Sequence, residues 1–181
     1  EVETAEEILL DFTAVIPLCF GEATGEISVS LTDGDPPFMY SWTGPDGFTS
    51  SDPALSGLPE GEYTLMVTDA SGCEASGSVT LTAPSEIVTT LTVVNATCLN
   101  ANGSAQSIAA GGTGELVSIW TDSEGNEVAT GQEMNDVFAG NYNLTVTDEA
   151  GCVYTESVSI SDAAGAVTGV ATPASCSDAS D

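Results

Sequence analysis

The chain repeats itself with a period of about 79 residues, and such internal self-similarity constrains its fold more than any other feature. Cys19, Cys98 and Cys176 follow one another at nearly equal spacing, and Cys73 and Cys152 recur at that same spacing. Other matched positions are Trp42 and Trp120, Gly61–Tyr63 and Gly140–Tyr142, and Val67–Cys73 and Val146–Cys152. A fixed period of this kind is typical of a tandem array of folded units.

The period divides the chain into two complete copies and the opening of a third. We expect the copies to cover residues 1–83 and 84–162, with residues 163–181 starting a truncated third copy around Cys176. Ala83-Pro84-Ser85 is the one plausible linker between the complete copies, and it is short. A short linker favours a stiff connection. We therefore expect this sequence to be a fragment of a longer array.

Within each copy, apolar and small polar residues alternate in short runs separated by Gly, Pro, Asp and Asn, which predicts half-buried β-strands. In the first copy the runs are Ile8–Val15, Glu26–Leu31, Phe38–Thr43, Phe48–Ser50, a piece near Ala54, Glu62–Thr68 and Glu74–Leu81. In the second they are Val88–Val94, Ser104–Ala109, Leu116–Thr121, Glu127–Thr130, Asn141–Thr147 and Val153–Ile160. About seven strands per copy predict an all-β fold of tandem immunoglobulin-like β-sandwiches. We expect Trp42, Ile27 and Leu65 in the core.

Charge narrows the classes of function. The chain has 28 acidic residues and no Lys, Arg or His, so its formal net charge is -28. Without cations it cannot neutralise phosphates or attract anionic lipid, which argues against nucleic acid, nucleotides and membranes as partners. Only carboxylates, Tyr and Cys remain for acid–base chemistry, so we expect no enzymatic activity and no cofactor. The hydrophobic fraction of 41% still indicates a folded core.

Five cysteines without a CxxC pair or a His indicate disulfides of a secreted protein rather than a metal centre. The favoured pairs are Cys19–Cys73 and Cys98–Cys152, which have identical separations along the chain, with Cys176 left without its partner. The alternative joins Cys73 to Cys98 and Cys152 to Cys176. Simple strand counting conflicts with the favoured pairs, because it places the first and last turns of a seven-stranded sandwich at opposite ends. The choice stays open at this point.

Acidic residues in two predicted turns are candidate calcium ligands, because hard cations bind carboxylate and carbonyl oxygens. They are Asp33, Asp35, Asp122, Glu124 and Asn126. Residues 122–133 carry acids at the first, third and last positions of a calcium-loop pattern, but Glu127 stands where that loop needs Gly. A solvated acidic hairpin is the competing interpretation.

Two further motifs have structural interpretations. The segment Leu58-Pro59-Glu60-Gly61-Glu62-Tyr63 is similar to a tyrosine corner, in which the hydroxyl group bonds back to the backbone. Asp69 and Asp148 come where a predicted strand turns back, and we expect each to form an Asx-turn.

Together these motifs resemble a known family. A Cys followed by Gly and a strand, then Tyr40-Ser41-Trp42, the run Leu58–Asp69, Gly72-Cys73 and a closing strand before Pro84 resemble the SprB-type repeat of Bacteroidota surface adhesins. The second copy departs from the pattern, with Val117-Ser118-Ile119-Trp120 at the Tyr-Ser-Trp position. The resemblance implies a very large secreted protein of the cell surface, exported by the type IX system, that forms filaments and serves adhesion and gliding motility.

We therefore predict a structural and adhesive, non-catalytic segment of an extracellular surface filament or adhesin. Its expected partners are neighbouring repeats of the same chain, with other filament chains or surface polysaccharide as further candidates. The alternative functions are a carbohydrate-binding module and an accessory domain of a secreted hydrolase. A carbohydrate site would need exposed aromatic side chains, and the candidates are Tyr40, Trp42, Phe48 and Trp120.

Overall fold

Sixteen strands and one short 3-10 turn make up the regular structure of residues 7–163, the part of the chain that this computed structural model describes. The chain divides into two units, Glu1–Glu86 and Ile87–Asp181, so the division follows Glu86. The predicted third copy, residues 163–181, lies outside the described residues from position 164 onward.

The first unit contains seven strands, all antiparallel to their neighbours. They are β1 (Leu9–Val15), β2 (Gly25–Thr32), β3 (Met39–Thr43), β4 (Thr49–Ser50), β5 (Ala54–Leu58), β6 (Gly61–Thr68) and β7 (Glu74–Leu81). One sheet has the order β1-β2-β5 and the other β4-β3-β6-β7, with a 3-10 turn at Pro45–Gly47 between β3 and β4. The predicted sandwich is confirmed.

Strand periodicity explains the core of the first unit. Along β6, Tyr63, Leu65 and Val67 are fully buried, whereas the residues between them face solvent. Trp42 of β3 is 1% exposed, and its ring packs edge-on against Phe12 of β1 in the opposite sheet, with ring centroids 6.0 Å apart. The tryptophan therefore lies between the sheets, as predicted.

The second unit repeats this layout with two additional short strands. Its strands are β8 (Val88–Val94), β9 (Ala96–Thr97), β10 (Gly103–Ala110), β11 (Val117–Thr121), β12 (Glu127–Thr130), β13 (Glu133–Val137), β14 (Gly140–Thr147), β15 (Val153–Ile160) and β16 (Asp162–Ala163). The sheets have the orders β13-β10-β8 and β12-β11-β14-β15, and β9 pairs with β16 in parallel. The predicted strands did not include β9, β13 or β16.

In each unit the chain enters the sandwich at one end, called here the incoming end, and leaves it at the opposite end, called the outgoing end. At the incoming end of the first unit, Ile8 lies beside Gly34 and Asp69, since a methyl group at Gly34 would be 2.9 Å from Ile8 Cγ1 and 3.5 Å from Asp69 Oδ2. At the outgoing end, a methyl group at Gly25 would be 2.7 Å from Leu81 Cδ1 and 3.4 Å from Pro17 Cδ. Strand β6 runs from the outgoing to the incoming end.

The second unit has the same polarity. Ile87, Gly112 and Asp148 meet at its incoming end, where a methyl group at Gly112 would lie 3.0 Å from Ile87 Cγ1 and 2.8 Å from Asp148 Oδ2. Gly103 and Ile160 meet at its outgoing end, with 2.7 Å between such a methyl group and Ile160 Cγ2.

Candidate functional site

A buried aspartate organises the incoming end of each unit. Asp69 is 4% exposed, and its Oδ1 accepts the backbone N–H groups of Ser71 at 2.9 Å and Cys73 at 2.8 Å. The bond from Ser71 forms the predicted Asx-turn. Its Oδ2 accepts the N–H of Asp35 at 3.1 Å, which ties the β6–β7 turn to the β2–β3 loop.

Asp148 repeats this arrangement in the second unit. Its Oδ1 accepts the N–H of Cys152 at 2.8 Å, and its Oδ2 accepts the N–H of Thr113 at 2.8 Å. Because backbone donors satisfy both carboxylates, Asp69 and Asp148 hold two loops together rather than presenting open ligand oxygens.

Hydrogen bonding sets the charge of both aspartates. The N–H of Asp35, followed by those of Cys73, Ser71 and Gly72, lowers the pKa of Asp69 against the opposing effect of burial. Burial acts to raise the pKa of Asp148, but the N–H groups of Thr113 and Cys152 and their neighbours outweigh it and lower that pKa. Both carboxyl groups are therefore ionised at neutral pH and stay ionised as the pH falls well below neutral.

The cysteines contradict the favoured disulfide pairing. Cys73 and Cys98 are free thiols, whereas Cys19 and Cys152 are each disulfide-bonded. Cys19 follows Pro17 at the outgoing end of the first unit, and Cys73 bonds Asp69 at its incoming end. The predicted bonds Cys19–Cys73 and Cys98–Cys152 are absent because each pair is split between opposite ends of one sandwich.

The predicted tyrosine corner is confirmed. Tyr63 is fully buried, and its hydroxyl donates to the carbonyl oxygen of Pro59 at 3.0 Å. Tyr142 donates in the same way to Phe138 at 2.9 Å. Burial, with a smaller contribution from Asp46, raises the pKa of Tyr63, and burial with Asp122 raises the pKa of Tyr142. Each hydroxyl therefore keeps the proton that it donates.

The calcium candidates lie in two turns of different units. Asp122 Oδ1 accepts the N–H groups of Glu124 and Asn126, both at 2.9 Å, and its Oδ2 accepts the Asn126 side-chain amide at 3.0 Å. The side chain of Asn126, followed by these N–H groups, lowers the pKa of Asp122. This geometry is that of a hydrogen-bonded hairpin turn, and the predicted calcium ligands of this turn are close together.

In the other turn, Asp33 has a positive φ of 65° and Asp35 Oδ2 accepts the Ser71 hydroxyl at 2.7 Å. Among residues 7–163, no group of three or more Asp, Glu, Cys or His side chains is arranged to hold a metal ion. Calcium binding stays a prediction.

The aromatic candidates for a carbohydrate site do not form an exposed platform. Trp42 is 1% exposed and Trp120 is fully buried. Their indole N–H groups donate to the carbonyl oxygens of Asp52 at 2.9 Å and Gly131 at 3.0 Å. Phe48 packs edge-on against the ring of Tyr63, with centroids 5.6 Å apart. These side chains belong to the core or its edge.

Residues 7–163 contain no helix that is long and apolar enough to cross a membrane.

Comparison with solved structures gives matches at low identity. The BSP domain of a biofilm-associated protein is 16% identical with a TM-score of 0.29, and the match covers 82% of this chain and 29% of that one. Extracellular domains 3–5 of Drosophila OTK are 16% identical with a TM-score of 0.42, over 86% and 62% of the two chains. A two-domain fibronectin type III segment of chicken tenascin is 12% identical with a TM-score of 0.34, over 82% and 97%.

No curated protein matches the chain. The family model of the SprB repeat matches residues 12–47, which extend from β1 through the 3-10 turn that follows β3. The resemblance of this chain to the SprB-type repeat is thus confirmed over that part of its first copy.

Proposed function

We propose that this chain is a structural and adhesive, non-catalytic segment of a secreted bacterial surface protein built from tandem copies. The observation that carries the proposal is the polarity of the copies. In each unit the chain comes in beside the buried aspartate and leaves at the opposite end, so copies can follow one another without a long crossing connection. The SprB repeat match supports the surface location.

The hydrogen bonds that the buried polar side chains make support a structural role. Asp69, Asp148, Tyr63 and Tyr142 all make hydrogen bonds that fix turns and strand ends. Catalysis by carboxylates would need two acids that converge at a cleft. These buried acids instead lie in different units and bind backbone donors.

The finer parts of the proposal come from the family resemblance. SprB-type repeats imply export by the type IX system, assembly into filaments and a role in gliding motility. The proposed partners are neighbouring copies in the same chain, other filament chains and surface polysaccharide. A carbohydrate-binding function receives no support from the two tryptophans, since both are buried.

Labelling of intact cells tests the surface role. An antibody raised against the folded 181-residue chain should label unpermeabilised source cells, and in-frame deletion of residues 1–162 should reduce attachment to glass. A matched strain with the substitution Ser76→Thr, at an exposed position outside the core, controls for altered expression. Labelling only after permeabilisation would contradict the proposed location, and normal attachment of the deletion strain would contradict the adhesive role.

A further inference from the structure

In the second unit, the first and last long strands run in the same direction and belong to opposite sheets. Strand β8 pairs with β10, and β15 pairs with β14, each in an antiparallel ladder. Both strands start at the incoming end, near Ile87 and Asp148, and both end at the outgoing end. A force that stretches the chain therefore pulls β8 toward the incoming end and β15 toward the outgoing end.

A parallel pair of short strands joins these two strands at the outgoing end. Only Asn95 separates β8 from β9, and only Ser161 separates β15 from β16. Strands β9 and β16 pair in parallel over two residues each, and Ala96 of β9 is fully buried. Asp162 of β16 also accepts the N–H of Leu99 through its Oδ1 at 3.3 Å. The end of the first strand is thus connected directly to the end of the last.

Two further hydrogen bonds from side chains connect the same two segments. Asn95 Oδ1 accepts the N–H of Ser161 at 3.0 Å. The hydroxyl group of Thr89 on β8 donates to Glu156 Oε2 on β15, and both of these side chains are half-buried. The second bond crosses from one sheet to the other, because β8 and β15 belong to different sheets.

The first unit brings its first and last strands together through apolar contacts. Gly77 of β7 lies one period before Glu156. A methyl group at Gly77 would be 2.7 Å from Cε2 of Phe12 and 3.4 Å from Cδ1 of Leu10, so both of these β1 side chains lie against β7. Apolar contacts are non-directional, whereas hydrogen bonds depend on distance and angle. Sliding of the two strands past each other therefore breaks the hydrogen bonds of the second unit.

The direction of a load determines how these bonds resist it. Hydrogen bonds between paired strands run across the strand axis. A force along β9 and β16 therefore loads the bonds between them together, in shear, whereas a force across the strands would break them one at a time. Stretching the chain pulls β8 and β16 in opposite directions, and the β9–β16 pair lies between the two pulled segments.

We propose that the second unit bears tensile load through a mechanical clamp, which consists of the β9–β16 pair and the hydrogen bonds Asn95–Ser161 and Thr89–Glu156. The load passes from β8 through the clamp to β16, so the long β8–β10 and β14–β15 ladders stay intact until the clamp breaks. The inference rests on the proposed function, because a segment that connects a cell to a surface is stretched when the two move apart.

Single-molecule force spectroscopy tests the clamp on the 181-residue chain, held by its two ends at constant force in reducing buffer. An insertion of about 20 Gly and Ser residues between the exposed Glu22 and Ala23 lengthens the first unit by roughly 70 Å when stretched, which assigns each unfolding event to its unit. Asn95→Ala and Thr89→Val each remove one hydrogen bond of the clamp. Each should make the second unit unfold about 2- to 10-fold faster under force and leave the first unit unchanged.

Tyr142→Phe is the matched control within the same unit. It removes the hydrogen bond from Tyr142 to Phe138, which does not connect the first and last strands. Tyr142→Phe should lower the urea midpoint as the clamp variants do, yet change the rate of unfolding under force by less than about 2-fold. Thr90→Val, at the exposed neighbour of Thr89, should also leave that rate unchanged and controls for the loss of a hydroxyl group.

Two results would overturn the proposal. The first is an unchanged rate of unfolding under force in both Asn95→Ala and Thr89→Val. The second is an equal acceleration in these variants and in Tyr142→Phe, which would mean that the clamp bonds contribute to stability alone. Neither result bears on the labelling and attachment of cells, so failure of the clamp is distinguishable from failure of the proposed surface role.

Discussion

Two equivalent glycines should respond in opposite ways to the same substitution. Gly61 and Gly140 open β6 and β14 in the Gly-x-Tyr motifs of the two copies. Gly61 has a φ of +146°, and a methyl group there would lie 2.2 Å from Cγ of Pro45. Gly140 is outside the positive-φ region, and a methyl group there would come no closer than 3.6 Å to another heavy atom, Cε2 of Tyr142.

The expected cost at Gly61 has two sources. A non-glycine residue held in this backbone region costs about 1–3 kcal/mol. Displacing the rigid Pro45 ring, which cannot rotate away, costs about 1–3 kcal/mol more. Gly61→Ala should therefore destabilise the first unit by roughly 2–6 kcal/mol, or lower its Tm by at least about 8 °C. Gly140→Ala should change the stability of the second unit by less than about 1 kcal/mol, with stabilisation favoured because alanine restricts the unfolded chain.

Urea denaturation, monitored by hydrogen exchange and mass spectrometry, measures the stability of each unit in the intact chain. Peptides from β6 report the first unit and peptides from β14 the second. Each variant also serves as the control for the other, because the substitution and the motif are the same. Equal losses of protection at Gly61→Ala and Gly140→Ala would refute the role assigned to Pro45 and to the backbone conformation.

Three other predictions concern hydrogen bonds and charge. Tyr63→Phe and Tyr142→Phe should each lower the free energy of unfolding of their own unit by about 0.5–1.5 kcal/mol, measured by urea denaturation. The folded-state pKa values of Asp69 and Asp148 are lowered, so these carboxylates stabilise the fold at pH values above the ordinary carboxyl pKa of about 3.9. This stabilisation is lost as the pH falls through the folded-state pKa values. The urea concentration at the unfolding midpoint should therefore decrease as the pH is lowered below about 4. For the first unit, this decrease should be less steep in Asp69→Asn than in the unmutated chain, and an equal decrease in both would contradict the assignment. Because all 28 charged side chains are acidic, Tm should rise with sodium chloride. Calcium binding at Asp122 predicts that calcium chloride raises Tm more than sodium chloride at matched ionic strength and that Asp122→Asn removes the extra rise; equal Tm values in the two salts would contradict the calcium site.

Strand positions could be predicted where the alternation of apolar and polar residues was strong. The strand Glu133–Val137 was missed because its only buried residues are Met134 and Val137, and Asp136 between them has a positive φ of 54°. The repeat itself could have located it, because Ala54–Leu58 lies one period earlier and forms β5. Tertiary pairing, rather than local pattern, creates this strand.

Local hydrogen bonds were predictable and long-range ones were not. The tyrosine corner joins residues four apart, and the Asx-turn at Asp69 joins residues two apart, so both follow from short motifs. The bond from Asp35 N–H to Asp69 Oδ2 spans 34 residues and depends on the sheet order. Sequence reasoning therefore found the aspartate but not the second loop that it holds.

The number of strands between two cysteines determines whether they can meet. In the first unit the strands alternate in direction, so each one carries the chain to the opposite end. Cys19 follows one strand and Cys73 follows six, and an odd number of strands therefore separates them. A sandwich with one strand fewer between these cysteines would bring both to the same end and allow a bond inside the copy. Because the observed number is odd, Cys19 and Cys73 lie at opposite ends of the same sandwich, and a disulfide between them inside the copy is excluded.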